Sequence, residues 1–205
     1  MVWQGAMPIK SEKSELQLND EFDTTQLGPQ WQWNYEPRRE MYSLLERPGW
    51  LRLKAFQPLH PGVFLKAGNT LTRRSFRTPH NEVTVKLDIS HTADGLHAGL
   101  VHFASQSASL GIVNHQGQNY LEFTRNDNRQ QGIAIPSSTL WLKSVWCLDG
   151  KSIFYYSLDG IDFIEFGQYQ LSWGYYRGDR IGIFCYNDLS ESGFIDVDAG
   201  ALGCR

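Results

Sequence analysis

No apolar run in this chain is long enough to cross a membrane, and the opening MVWQGAMPIKSEKSE lacks the charged start and apolar core of a signal peptide. There is no surplus of positive charge either: 19 Lys and Arg against 22 Asp and Glu give a formal charge of −3. That balance leaves no electrostatic footprint for nucleic acid or an anionic membrane, so neither is expected as a partner. Cysteine is scarce. Cys147, Cys185 and Cys204 show no metal-type spacing, and their odd number does not suggest a disulfide framework, although one pair could still form. Glycine-rich phosphate loops, cofactor fingerprints, internal repeats and low-complexity segments are all missing. So is helical periodicity, because apolar residues rarely recur at i, i+3, i+4 and i+7 over three turns. These absences point to a cytoplasmic protein, or to a periplasmic or secreted one if the chain is a piece of something longer. Residues 1–18 read as a linker or N-terminal extension.

What the chain does have is aromatic residues and turns. Seven Trp, nine Tyr and eleven Phe favour strands, and the same rings stack on sugars and bases. Short alternating runs recur along the chain: Trp50–Lys54, Asn69–Arg74, Glu82–Asp88, Ala98–Phe103, Leu110–Val113, Tyr120–Thr124, Leu140–Cys147, Ser152–Ser157, Phe163–Phe166, Arg180–Tyr186 and Phe194–Val197. Turn chemistry separates them, with Arg47-Pro48-Gly49 and Asn126-Asp127-Asn128 as turns and Asp94-Gly95, Asp149-Gly150 and Asp159-Gly160 as hairpin signals. Many short strands at this spacing indicate an all-β fold in which two antiparallel sheets pack face to face as a sandwich or jelly roll. Residues 19–198 form one such module, and 199–205 a C-terminal tail.

The chemistry-bearing residues cluster around Asn19–Asn34, NDEFDTTQLGPQWQWN. Trp31 and Trp33 share one face of a strand, with Gln30, Gln32 and Asn34 opposite, so the two indoles either fill a core or offer a platform to a sugar ring. Trp50, Tyr120 and the loop Trp173-Gly174-Tyr175-Tyr176 are further candidate platforms, because sugar CH faces stack on rings while Asn, Gln and Arg bind hydroxyls. A glycosidase needs two carboxylates flanking the scissile bond. No strand displays such a pair, since Asp88 and Glu122 each stand alone. His91, His97, His102 and His115 lie close in sequence, but His97 and His102 have opposite parity in one strand and should point to opposite faces. Asp20 and Asp23, near one terminus, and Asp196 and Asp198, near the other, could together hold a structural calcium ion.

Several motifs, in order, carry a resemblance: Asp20-Glu21-Phe22, Leu27–Asn34 (LGPQWQWN), Glu46–Leu53 (ERPGWLRL), Asn69–Thr72, Leu87-Asp88 with Asp94-Gly95, Ala98-Gly99-Leu100, Tyr156–Gly160 (YSLDG), Ile181-Gly182 and Tyr186-Asn187. The chain resembles the C-terminal concanavalin A-like β-sandwich module of glycoside hydrolase family 43 β-xylosidases and arabinofuranosidases, to which carbohydrate-binding module family 91 is related. The resemblance implies a non-catalytic module that follows a five-bladed propeller bearing the catalytic carboxylates, and that helps to recognise xylan or xylo-oligosaccharide. It also implies that one aromatic loop reaches toward the active-site mouth, a role that falls here on Tyr176. Two alternatives stand beside this one: an independent carbohydrate-binding module, and a sandwich-fold glycoside hydrolase.

Overall fold

A computed structural model of the chain describes residues 20–60, 63–126, 128–174 and 178–198, the side chain of Leu65 excepted. Among the described residues fourteen strands form two seven-stranded sheets. The first runs β1 (Gln32–Trp33), β4 (Thr70–Arg74), β13 (Arg180–Asn187), β6 (Leu96–Phe103), β7 (Ser107–His115), β8 (Gln118–Arg125) and β9 (Asn128–Ala134). The second runs β12 (Ile164–Gln170), β11 (Lys151–Ser157), β10 (Thr139–Trp146), β5 (Asn81–Asp88), β14 (Phe194–Asp198), β3 (Leu51–Lys54) and β2 (Tyr42–Ser43). Every pairing is antiparallel. The helices among the described residues are two three-residue 3-10 turns, Arg39–Met41 and Phe64–Lys66.

Period-two alternation decides which side chains enter the space between the sheets. Val83, Val85 and Leu87 of β5, Leu140 and Leu142 of β10, Leu96, Ala98 and Leu100 of β6, and Ile181 and Ile183 of β13 all point there and are buried. Each large aliphatic side chain buried in this way contributes about 1.5–3 kcal/mol. Strands β6 and β13 are buried at every position, so their outer faces are covered as well. Part of that cover is Phe64, whose ring meets Phe103, Phe184 and Tyr186 at centroid distances of 5.0–6.1 Å.

The turns depart from expectation in one place. Asp94-Gly95 does not close a hairpin: it lies between β5 and β6, which belong to different sheets, so the chain crosses the sandwich there. Gly95 still needs its positive φ of 80°. A tight two-residue hairpin is formed by Gln116-Gly117 between β7 and β8, with φ values of 50° and 84°, both in the left-handed region that such turns demand. Asp149-Gly150 and Asp159-Gly160 do join the antiparallel neighbours β10–β11 and β11–β12. Strand β9 has no apolar alternation, and its side chains are almost all exposed, as suits an edge strand.

Cys185 is buried and Cys147 half-buried, both as free thiols, and burial pushes the Cys185 thiol pKa up. Cys204 lies outside the described residues.

Candidate functional site

The stretch 20–34 builds one end of the molecule around a buried carboxylate. Asp20 accepts hydrogen bonds from the Phe22 amide at 3.1 Å, from Gln30 Nε2 at 2.9 Å and from the indole N–H of Trp31 at 2.5 Å. Trp31 stacks on Phe22 with ring centroids 5.9 Å apart. At 7% exposure Trp31 is a core residue, so it is no platform: its large apolar area favours burial, and the bond to Asp20 removes the cost of burying its N–H. Trp33 is only half-buried, and its ring lies 4.7 Å from that of Tyr42. The two tryptophans therefore serve different partners rather than stacking on one another.

Strands β1 and β2 are the outermost strands of their sheets, and the sandwich opens between them. A groove of about 540 Å³ lies there, with Trp33, Tyr42, Gln26, Arg39 and Ser43 in its walls and Trp31 closing its floor. That volume falls within the roughly 300–1,000 Å³ of small-molecule sites. Aromatic faces beside amide, guanidinium and hydroxyl groups are the chemistry that holds a neutral sugar. Asn34 sits at the end of β1, where its amide bonds the Thr70 carbonyl at 2.8 Å. Sequence reasoning missed Tyr42, because its contact with Trp33 joins the two sheets and leaves no mark in local patterning.

The other expected site residues scatter. Trp173 packs partly against the core with a φ of 55°; its indole donates to the Leu148 carbonyl at 3.1 Å and Arg77 lies over its ring at 4.7 Å. Tyr175 and Tyr176 lie outside the described residues. Trp50 is covered by Arg47 at 3.8 Å. Tyr120 is half-buried on the outer face of β8, far from β1 in strand order.

The acidic residues do not fit a calcium ion. Asp20 has both oxygens engaged by N–H donors. Asp196 receives a two-pronged contact from Arg52 at 2.7 and 2.9 Å and a third bond from Arg47 at 3.0 Å. A cation among those guanidinium groups would be repelled. Asp23 is exposed in its turn, Asp198 ends β14 opposite Lys86, and among the described residues no cluster of three or more His, Cys, Asp or Glu could hold a metal.

The two histidines of β6 do leave on opposite faces. His102 points into the core, with Nε2 2.8 Å from Ser144 Oγ, and burial lowers its pKa to about 3. His97 lies on the outer face, stacked on Tyr186 at 4.9 Å, with Nδ1 2.9 Å from Glu122 and Nε2 3.3 Å from Asp188. Burial pulls its pKa down, but the bonds to Asp188 and Glu122 outweigh burial and the nearby Arg129, and the net shift is upward. Glu122 and Asp188 thus share a face, yet an imidazole bridges them and fills the gap that a glycosidic bond would need.

The model of the β-xylosidase C-terminal concanavalin A-like domain matches residues 19–199. A β-xylosidase from Formosa agariphila is 31% identical over 220 residues, covering 93% of this chain but 37% of its own length. The crystal structure of the GH43 protein BlXynB from Bacillus licheniformis aligns with a TM-score of 0.79 at 26% identity, over 95% of this chain and 40% of that one. The fold alone extends to a laminarinase catalytic domain from Thermotoga petrophila, with a TM-score of 0.55 at 10% identity over 88% of this chain and 93% of that domain. This chain spans well under half the length of the xylosidase it matches.

Proposed function

Since the chain belongs to the family of C-terminal concanavalin A-like domains of β-xylosidases, we propose that it is an accessory, non-catalytic module. In this reading it packs on a family 43 propeller and takes hold of xylan or xylo-oligosaccharide through the Trp33/Tyr42 groove. The observation that carries sugar recognition is that groove of about 540 Å³ at the open edge of the sandwich, where two aromatic rings meet polar side chains. The imidazole between Glu122 and Asp188 supports the non-catalytic part.

Calorimetric titration of the 205-residue chain with xylohexaose tests this reading. Saturable heat is expected, with binding weakened at least about tenfold in Trp33→Ala, which corresponds to ~1.4 kcal/mol, while the melting curve stays cooperative. No heat at millimolar ligand removes sugar recognition and leaves docking to the catalytic domain as the module's task.

A further inference from the structure

The outer face of the first sheet carries a second polar site, separate from the Trp33 groove. Alternation sends Ser107 and Ser109 of β7 and Glu122 and Thr124 of β8 outward, next to Arg129 of β9. These five groups line one small cavity, walled on its other side by Phe64, Phe184 and Tyr186. Its volume of about 70 Å³ exceeds the share of one water, ~30 Å³, and falls short of the ~300 Å³ of a site that swallows a ligand. It has room for one edge of a small ring.

Three hydroxyls of the lining, and one oxygen of Glu122, are unspent. Among the described residues no hydrogen bond ends on the hydroxyls of Ser107, Ser109 or Thr124, and Glu122 uses one oxygen on His97, leaving the other open. Arg129 is held by long contacts, all at 3.4 Å, to the His97 ring, the Tyr186 hydroxyl and Asp188. Partly buried polar groups without partners favour a ligand that supplies donors and acceptors together. A carboxylate beside a guanidinium lets the carboxylate accept from one hydroxyl while the guanidinium N–H donates to the next, which suits adjacent hydroxyls on a ring. Charge argues the same way: the carboxylates of Glu122 and Asp188 at least balance Arg129 and His97 in either state of the ring, so an anion finds no surplus of positive charge.

We propose that this face binds the vicinal-diol edge of one uncharged pentose residue, as a subsite independent of the Trp33 groove. The choice of a pentose rests on the xylosidase reading above; the choice of an uncharged diol rests on the face itself.

The test is nitrogen–proton correlation NMR on the 205-residue chain titrated with xylotriose, with glucuronate as the anionic control. Saturable shifts are expected at the amides of residues 107–109 and 122–124. Glu122→Gln and Ser109→Val should each weaken binding about tenfold, or ~1.4 kcal/mol. Unchanged shifts along β10 and β11 in both variants would show that the fold survives. Xylotriose shifts confined to residues 26–45 would overturn this inference and leave the groove reading standing. Silence in both regions would overturn both, and a stronger response to glucuronate than to xylotriose would rule out the uncharged diol.

Discussion

His97 and His102 stand on one strand, and the two faces of β6 give them opposite electrostatics. On the inner face His102 sits at 0% exposure among Trp146, Phe154 and the Ser144–Ser152 hydroxyl pair, with no charge to answer its own. Burial therefore keeps it neutral. On the outer face His97 is nearly as buried, at 3%, yet two carboxylates hold its proton in place. Burial alone does not decide a histidine's charge; the partners that burial brings decide it.

The largest effect that separates the two faces is acid destabilisation through His102. Its folded pKa of about 3 lies below the ordinary 6.5, so the unfolded chain binds a proton that the native state refuses. Stability then falls as pH drops from 6.5 toward 3, by roughly 1.4 kcal/mol per pH unit and about 5 kcal/mol in total. Urea unfolding between pH 6.5 and 4 should show that slope, and His102→Gln should flatten it. Equal slopes in the two proteins would mean that His102 is not the group responsible.

A second contrast sets the buried Trp31 against the groove-lining Trp33. Trp31→Ala should cost about 3–4 kcal/mol through the cavity it leaves and the Asp20 bond it breaks. Trp33→Ala should cost less than half as much, because its ring is only half-buried. Thermal melts of the two variants give the comparison directly, and equal losses would show that both rings are core.

The smallest effect belongs to the outer histidine. His97 has a raised pKa, so its contribution is fully present below pH 6.5 and is lost as pH rises through the folded value. Asp188→Asn removes one of its partners and should lower the His97 pKa while costing about 1 kcal/mol. A proton NMR titration of the His97 ring reads the shift, and an unchanged pKa would leave Glu122 as the sole support.

Much of this was legible in the sequence, and the exceptions share a cause. The alternation in EVTVKLD places Val83, Val85 and Leu87 inward without any knowledge of the partner sheet. Parity likewise sends His97 and His102 apart. Strand β9 escaped notice because NRQQGIA has no buried face to create a pattern. Asp94-Gly95 reads as a hairpin because turn chemistry records a reversal but not which sheet receives the next strand. Asp196 reads as a possible calcium ligand because its carboxylate is visible in the sequence while Arg47 and Arg52, 149 and 144 residues away, are not visibly its partners.

The sequence by itself determined the all-β class, the strand faces and the family, because alternation, turn residues and ordered motifs are local and survive in one dimension. The tertiary structure alone decided which residues meet. It paired Trp33 with Tyr42, bridged Glu122 and Asp188 through His97, and gathered the unspent hydroxyls of β7 and β8 beside Arg129. Such contacts depend on sheet order and on how the two sheets face each other. Hydrophobic alternation, which has no direction along the sheet, does not encode that order.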